Sequence, residues 1–88
     1  MHKFDLNNKT AIITGGAQGF GLDIAKRFLN SGAKAIVWDI DENELIKVSK
    51  ELNSPNFSYH VVDVSNFKDV KETVDEIIKF SNIDILIN

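Results

Sequence analysis

The order in which hydrophobic periodicity changes along this chain constrains its fold more than any other feature. Four short β-forming runs alternate with three helical patterns, the arrangement expected of βαβ units on a parallel sheet. The first run, Thr10-Ala11-Ile12-Ile13-Thr14, has a continuous apolar centre, as a strand covered by helices on both faces requires. Leu22, Ala25, Phe28 and Leu29 then recur at helical spacing, and Ser31-Gly32 supplies the stop. Strand two is Ala35-Ile36-Val37-Trp38. Asp41, with Glu44 three residues on, starts a second helix carrying Leu45, Val48 and Leu52 in the manner of a capping box. Strand three covers Phe57 to Val62, and either Ser65 or Asn66 can cap the third helix. Its buried stripe is expected to be Phe67, Val70, Val74, Ile77 and Ile78, and the last strand runs from Ile83 to Ile87.

Right-handed crossovers decide the topology, because successive βαβ connections in one sheet turn the same way. The expectation is an α/β, Rossmann-type doubly wound parallel sheet in the strand order 3-2-1-4 with three helices. The winding direction reverses between strands one and four, opening a crevice at their carboxyl ends where ligands bind. At 88 residues, the chain has room for one domain, residues 1–88, and burial is marginal at that size.

Thr14-Gly15-Gly16-Ala17-Gln18-Gly19-Phe20-Gly21 joins strand one to helix one, so it opens onto that crevice. Backbone amides and a helix N-terminus there suit a phosphate. Glycine is needed on steric grounds: a Cβ would strain the tight turn, hold a diphosphate away from the loop, or block close packing of the helix start on the strand. The spacing is G-x-x-x-G-x-G. From Gly16 to Gly21 it also matches a P-loop, but Leu22-Asp23 stands where Lys and Ser or Thr would be required. A nucleoside triphosphatase is therefore disfavoured, and a methyltransferase fits less well than a dinucleotide site.

Asp39 follows strand two, eighteen positions after Gly21, close to the ~20-residue interval at which a carboxylate accepts from adenine-ribose hydroxyls. The same charge repels a 2′-phosphate. With Ile40 beside it and Gln18 in the loop there is no cation to hold one, so NAD is favoured over NADP. Asp41 is the competing ribose ligand. Asp63-Val64 ends strand three, where an adenine would rest. Asp63 either accepts from an exocyclic amine or serves as a loop or helix-side cap, and Asp84 opens strand four and caps local amides. Trp38 is read as packing against a helix. The Lys and Glu residues of helices two and three are read as solvated faces.

Composition removes other classes. A net charge of −3, with Lys and Arg dispersed among acids, offers no sustained positive surface for a phosphate backbone, so no nucleic-acid partner is expected. Cysteine is absent, which removes disulfides and thiolate metal sites. His2 and His60 have no companion at ligand spacing, so no metal site is expected. Met1-His2-Lys3-Phe4-Asp5-Leu6 has no apolar run of signal-peptide length and no later segment approaches ~20 apolar residues. The expectation is a cytoplasmic protein with no membrane partner.

From Lys9 to Asn88 the chain resembles the short-chain dehydrogenase/reductase family. The family's T-G-x-x-x-G-x-G loop is matched by Thr14, Gly15, Gly19 and Gly21, its ribose-binding acid by Asp39, and its D-V pair by Asp63-Val64. Asp84-Ile85-Leu86-Ile87-Asn88 looks like D-x-L-V-N, the start of the N-N-A-G motif that borders the cofactor. The resemblance implies an NAD-dependent oxidoreductase that moves a hydride between nicotinamide and an alcohol or carbonyl carbon. The substrate would be a small molecule such as a 3-oxoacyl thioester, sugar, polyol or steroid-like alcohol. The resemblance further implies a homo-oligomer, dimer or tetramer. The implied cofactor-binding set is Gly15, Gln18, Gly19, Phe20, Gly21, Asp39, Ile40, Asp63, Val64 and Asn88. The family's catalytic Ser and Tyr-x-x-x-Lys come later than this motif, and Tyr59 has Asp63 rather than Lys four residues on, so no catalytic residue is expected in these residues. Strand four would be an exposed apolar edge and one helix would cover the second face, so the expectation is an incomplete domain, inactive alone. A non-enzymatic dinucleotide-binding or interaction module, completed by a partner chain, is the alternative reading.

Overall fold

The computed structural model describes residues 6–88; His2 lies outside them. β1 (Thr10–Thr14), α1 (Gly19–Asn30), β2 (Lys34–Asp39), α2 (Glu42–Leu52), β3 (Phe57–Val61), α3 (Phe67–Ile78) and β4 (Ile85–Ile87) follow one another along the chain. The four strands form one parallel sheet in the order β3-β2-β1-β4, as right-handed crossovers require. β1 is central: Ala11, Ile12 and Ile13 pair with Ala35, Ile36 and Val37 on one side and with Ile85, Leu86 and Ile87 on the other.

The apolar runs are continuous because both sheet faces are covered. Ala11, Ile13, Ala35 and Val37 face α1 and α2, where they pack with Ala25, Leu45, Val48 and Phe57. Ile12, Ile36 and Trp38 face α3 and pack with Val62 and Ile77. Trp38 is therefore a core residue beneath a helix, as its position in strand two suggests.

The helix caps follow local sequence. Asp41 is the N-cap of α2, its Oδ1 accepting from Glu44 N at 3.2 Å. Asn66, not Ser65, caps α3 by accepting from Asp69 N at 3.2 Å, which resolves that alternative. α1 closes at Ser31, with Gly32 at φ +91, a left-handed conformation that glycine adopts without strain.

Three expectations require correction. Phe67 is 79% exposed and Ile78 is largely exposed, so the α3 stripe is Val70, Val74 and Ile77. Phe67 is the first helical residue, ahead of the part of α3 that meets the sheet. Ile78 lies about 100° around the helix from Ile77, too far to share a narrow buried stripe. Strand three ends at Val61 and strand four begins at Ile85, each shorter than the apolar pattern. Asp84 consequently precedes β4 rather than opening it, and it exchanges two bonds with Thr10: Thr10 N donates to Asp84 Oδ2 and Asp84 N to the Thr10 carbonyl, both at 2.9 Å.

Candidate functional site

At the carboxyl ends of the strands, backbone pairing continues beyond the regular sheet. Gly15 N donates to the Trp38 carbonyl at 2.7 Å and Val62 N to the Asp39 carbonyl at 3.1 Å. The loops after β1, β2 and β3 therefore start side by side. Between them lies a cavity of about 230 Å³ lined by Gly15, Trp38, Asp39, Ile40, Val62, Asp63 and Val64. Its walls are mainly apolar, with the two acids as the titratable groups. A cavity of this character accepts a flat ring and offers a few convergent polar partners.

The glycine turn closes one side. Gly15 and Gly19 stand at φ +67 and +62, a region costly for side chains with a Cβ. Gly21 is needed for contact: a Cβ there would meet the Gly15 carbonyl oxygen and, at 2.7 Å, Gly16 Cα. The helix start thus packs on the turn rather than on strand one itself. α1 begins at Gly19 after an extended Gln18 whose side chain makes no capping bond, and its first turn holds no acid. The leading N–H groups of α1 thereby retain capacity for an anion. Phe20, 89% exposed, stands out from this turn.

The two candidate acids after β2 separate cleanly. Asp39 Oδ2 accepts from Ala17 N at 3.2 Å and Oδ1 from Asp41 N at 3.1 Å, so its carboxylate bridges strand two and the glycine turn. Asp41 is occupied with α2. Two backbone donors set the orientation of Asp39 while each oxygen keeps a further lone pair.

Asp63 is bonded within its own loop. It lines the cavity, and its Oδ1 accepts from Ser65 Oγ at 2.6 Å and Ser65 N at 2.9 Å. The Ser65 hydroxyl, then the Ser65 amide, hold the Asp63 carboxyl below its ordinary pKa, against a small opposing effect of burial. Asp63 N donates to Asp69 Oδ2 at 3.0 Å, tying the loop to α3. Asn88 lies across β1 from this cavity, where Thr14 Oγ1 donates between the Asn88 side-chain oxygen at 3.2 Å and the Ile87 carbonyl at 3.3 Å.

Five of the anticipated residues, Gly15, Asp39, Ile40, Asp63 and Val64, thus share one cavity. Gln18, Gly19, Phe20 and Gly21 form the adjoining turn and helix start, and Asn88 lies outside the cavity with its side chain bonded to Thr14, where the turn begins. Sequence reasoning missed Val62 in the wall, the Ala17 N–H that holds Asp39, and Gly16. A Cβ on Gly16 would lie 2.7 Å from Val37 Cγ1; a fourth glycine beside the three of the motif was the available signal. Among the described residues no group of three or more His, Cys, Asp or Glu is placed to hold a metal ion, and no helix is long and apolar enough to cross a membrane.

Comparison with known proteins decides the family. Residues 9–88 match the family model of short chain dehydrogenases. The chain belongs to the short-chain dehydrogenase family. Within it, the chain is 40% identical over 90 residues to 3beta-hydroxysteroid dehydrogenase 2 of Eggerthella lenta, covering 99% of the chain and 35% of the relative. It is 39% identical over 85 residues to galactitol 2-dehydrogenase of Agrobacterium fabrum, covering 94% of the chain and 32% of the relative. A solved glucose/ribitol dehydrogenase from Brucella melitensis superposes with a TM-score of 0.88 at 33% identity, over 97% of this chain and 37% of that one. The chain spans about a third of the length of these curated relatives. Family membership makes the chain part of an oxidoreductase family that uses nicotinamide dinucleotides, and it fits the Rossmann-type sheet.

Proposed function

We propose that this chain holds the adenosine and diphosphate of NAD at the carboxyl edge of its sheet, as the cofactor-binding part of an alcohol or carbonyl oxidoreductase. The observation that carries the reading is the bridge from Asp39 to the glycine turn through Ala17 N. It ties an oriented carboxylate to the turn proposed to receive the diphosphate. Asp39 accepts from the ribose hydroxyls. Ile40 and Val64 flank the adenine, Asp63 borders its edge, and the Gly15–Gly21 turn with the uncapped start of α1 receives the diphosphate. Phe20 and Asn88 lie toward the nicotinamide side.

Bound NAD supplies the hydride acceptor, and this chain binds and orients it. No acid–base group for hydride transfer is assigned to these residues: Tyr59 lies in β3 and packs against the main core. The substrate is proposed to be a small-molecule alcohol or its carbonyl partner, and the whole protein to be a homo-oligomer. Binding at Asp39 favours NAD over NADP because a 2′-phosphate would bring like charge against the carboxylate, an effect of about 10- to 100-fold. Calorimetric titration with each nucleotide tests this. The expected result is tighter binding of NAD, with Asp39→Ser narrowing the gap between the two. Equal or tighter binding of NADP by the native chain would overturn the assignment.

A further inference from the structure

β3 forms one edge of the sheet, with β2 on its inner side. Peptide groups along a strand point alternately to its two sides, and the bonds at the ends of β3 fix which residues face outward. Ala35 N donates to the Asn56 carbonyl at 2.9 Å and Val62 N to the Asp39 carbonyl at 3.1 Å. The even-numbered residues therefore face β2, and Phe57, Tyr59 and Val61 turn their peptide groups away from it. This outward row is closed at both ends: Phe57 N donates to the Ser54 carbonyl at 3.2 Å and Asp63 N to Asp69 Oδ2 at 3.0 Å. Between those ends, the N–H groups of Tyr59 and Val61 have no partner among the described residues.

Native edge strands usually carry charges, prolines or bulges that keep other chains away. β3, Phe57-Ser58-Tyr59-His60-Val61, has no charged residue and no proline, and its Val61 is 43% exposed. The same five residues match themselves when a second copy runs antiparallel with the two-fold axis at Tyr59. In that register Tyr59 exchanges both bonds with its counterpart, and each Val61 N donates to the Phe57 carbonyl of the other copy. Every open donor is thereby used, and the Phe57 N–H opposite Val61 is already bonded within its own chain. Side chains agree with this register. Phe57 and Tyr59 belong to the core under α1 and α2, so alternation puts Phe57, Tyr59 and Val61 on one face and Ser58 and His60 on the other. Phe57 then lies opposite Val61, Tyr59 opposite Tyr59, and Ser58 opposite His60, so apolar meets apolar and hydroxyl meets imidazole. An axis at His60 would make as many bonds, but it would set Asp63 against Phe57 and two imidazoles against each other.

We propose that β3 is an interface between two copies of this chain, pairing antiparallel about Tyr59 and joining two four-stranded sheets into one. It deepens the homo-oligomer reading by naming a surface and is independent of the NAD site. Sedimentation equilibrium of the protein should give a dimer or a multiple of one. Amide hydrogen exchange should find Tyr59 and Val61 protected in the assembly and open on dilution to monomer, with Val62, bonded within its own chain, unchanged. Cysteine is absent from the chain, so Tyr59→Cys introduces a single thiol. Hydrogen-bonded antiparallel partners stand about 5.5 Å apart at Cα, within disulfide reach, so mild oxidation should link two copies. Position 60 is offset from its own counterpart by two residues of ~3.4 Å each along the strand, out of reach, so His60→Cys should stay single. Val61→Pro deletes an N–H that β2 does not use and should leave a folded chain that no longer pairs. A protein monomeric at every concentration overturns both this interface and the homo-oligomer. An oligomer whose Tyr59 and Val61 amides stay open overturns the interface alone, as does cross-linking of His60→Cys in preference to Tyr59→Cys. Should Val61→Pro lose the native amide pattern, Val61→Lys decides by placing a charge on the edge, and undiminished pairing there counts against the interface.

Discussion

Gly15 and Gly21 are both glycines of the same turn, yet they are required for different reasons. Gly15 has open space where a Cβ would stand and is limited by its left-handed backbone, whereas Gly21 is limited by contact with the Gly15 carbonyl and Gly16. Gly21→Ala is therefore expected to force the turn away from the helix start. A loss of about 1–3 kcal/mol in stability follows by analogy with overpacked cores, together with weaker NAD binding; thermal unfolding and calorimetric titration check the two effects. Asp63 carries a pH dependence. Its folded-state pKa is lowered by Ser65, so the stabilisation is present above the unfolded-state pKa and is lost as pH falls through the folded-state value. Urea midpoints of the native chain and of Asp63→Asn should differ near neutrality and converge in acid, and a gap that widens toward low pH would contradict the assignment. Asp39 was legible from its distance to the glycines. Gly16 was not, because its constraint comes from Val37, a residue on the neighbouring strand.

At the scale of elements, helix starts were the best-written part of the chain. Asp41 and Asn66 each precede a helix by one residue and accept from an amide three positions on, a pattern that depends only on local spacing. Asn66→Ala is expected to cost about 1 kcal/mol, measured as a lower urea midpoint, and Asn66→Ser to restore most of it. If Asn66→Ala leaves the midpoint unchanged, the Asp69 contact is not a functioning cap. The buried stripe of α3 was less legible. Five apolar residues recur along the helix, but Phe67 and Ile78 stay exposed because Phe67 is the first residue of α3 and Ile78 lies about 100° around it from Ile77. The strands were likewise shorter than their apolar runs, since pairing ends where a partner ends.

For the molecule as a whole, the two cores are unequal. The face under α1 and α2 holds Leu45 at 0% exposure among Ala25, Val37 and Val48, whereas Leu86 on the outer strand β4 is 58% exposed. Leu45→Ala is expected to cost about 2–5 kcal/mol through lost burial and a residual cavity. Leu86→Thr should stay within about 0.5 kcal/mol. Chemical denaturation of the two variants beside the native chain tests the contrast, and similar losses would contradict it. The strand order was legible because right-handed crossovers leave one economical solution for alternating strands and helices. By itself, then, the amino-acid sequence determined the order of elements, the Asp41 cap, the glycine turn and the acid at the end of strand two, all of which rest on short-range spacing and handedness. Only the tertiary structure decided that Asp39 rather than Asp41 reaches the turn, and that Phe67 and Ile78 stay outside the core. Each of these depends on which surfaces are brought together by residues distant in the chain, and no local pattern encodes that.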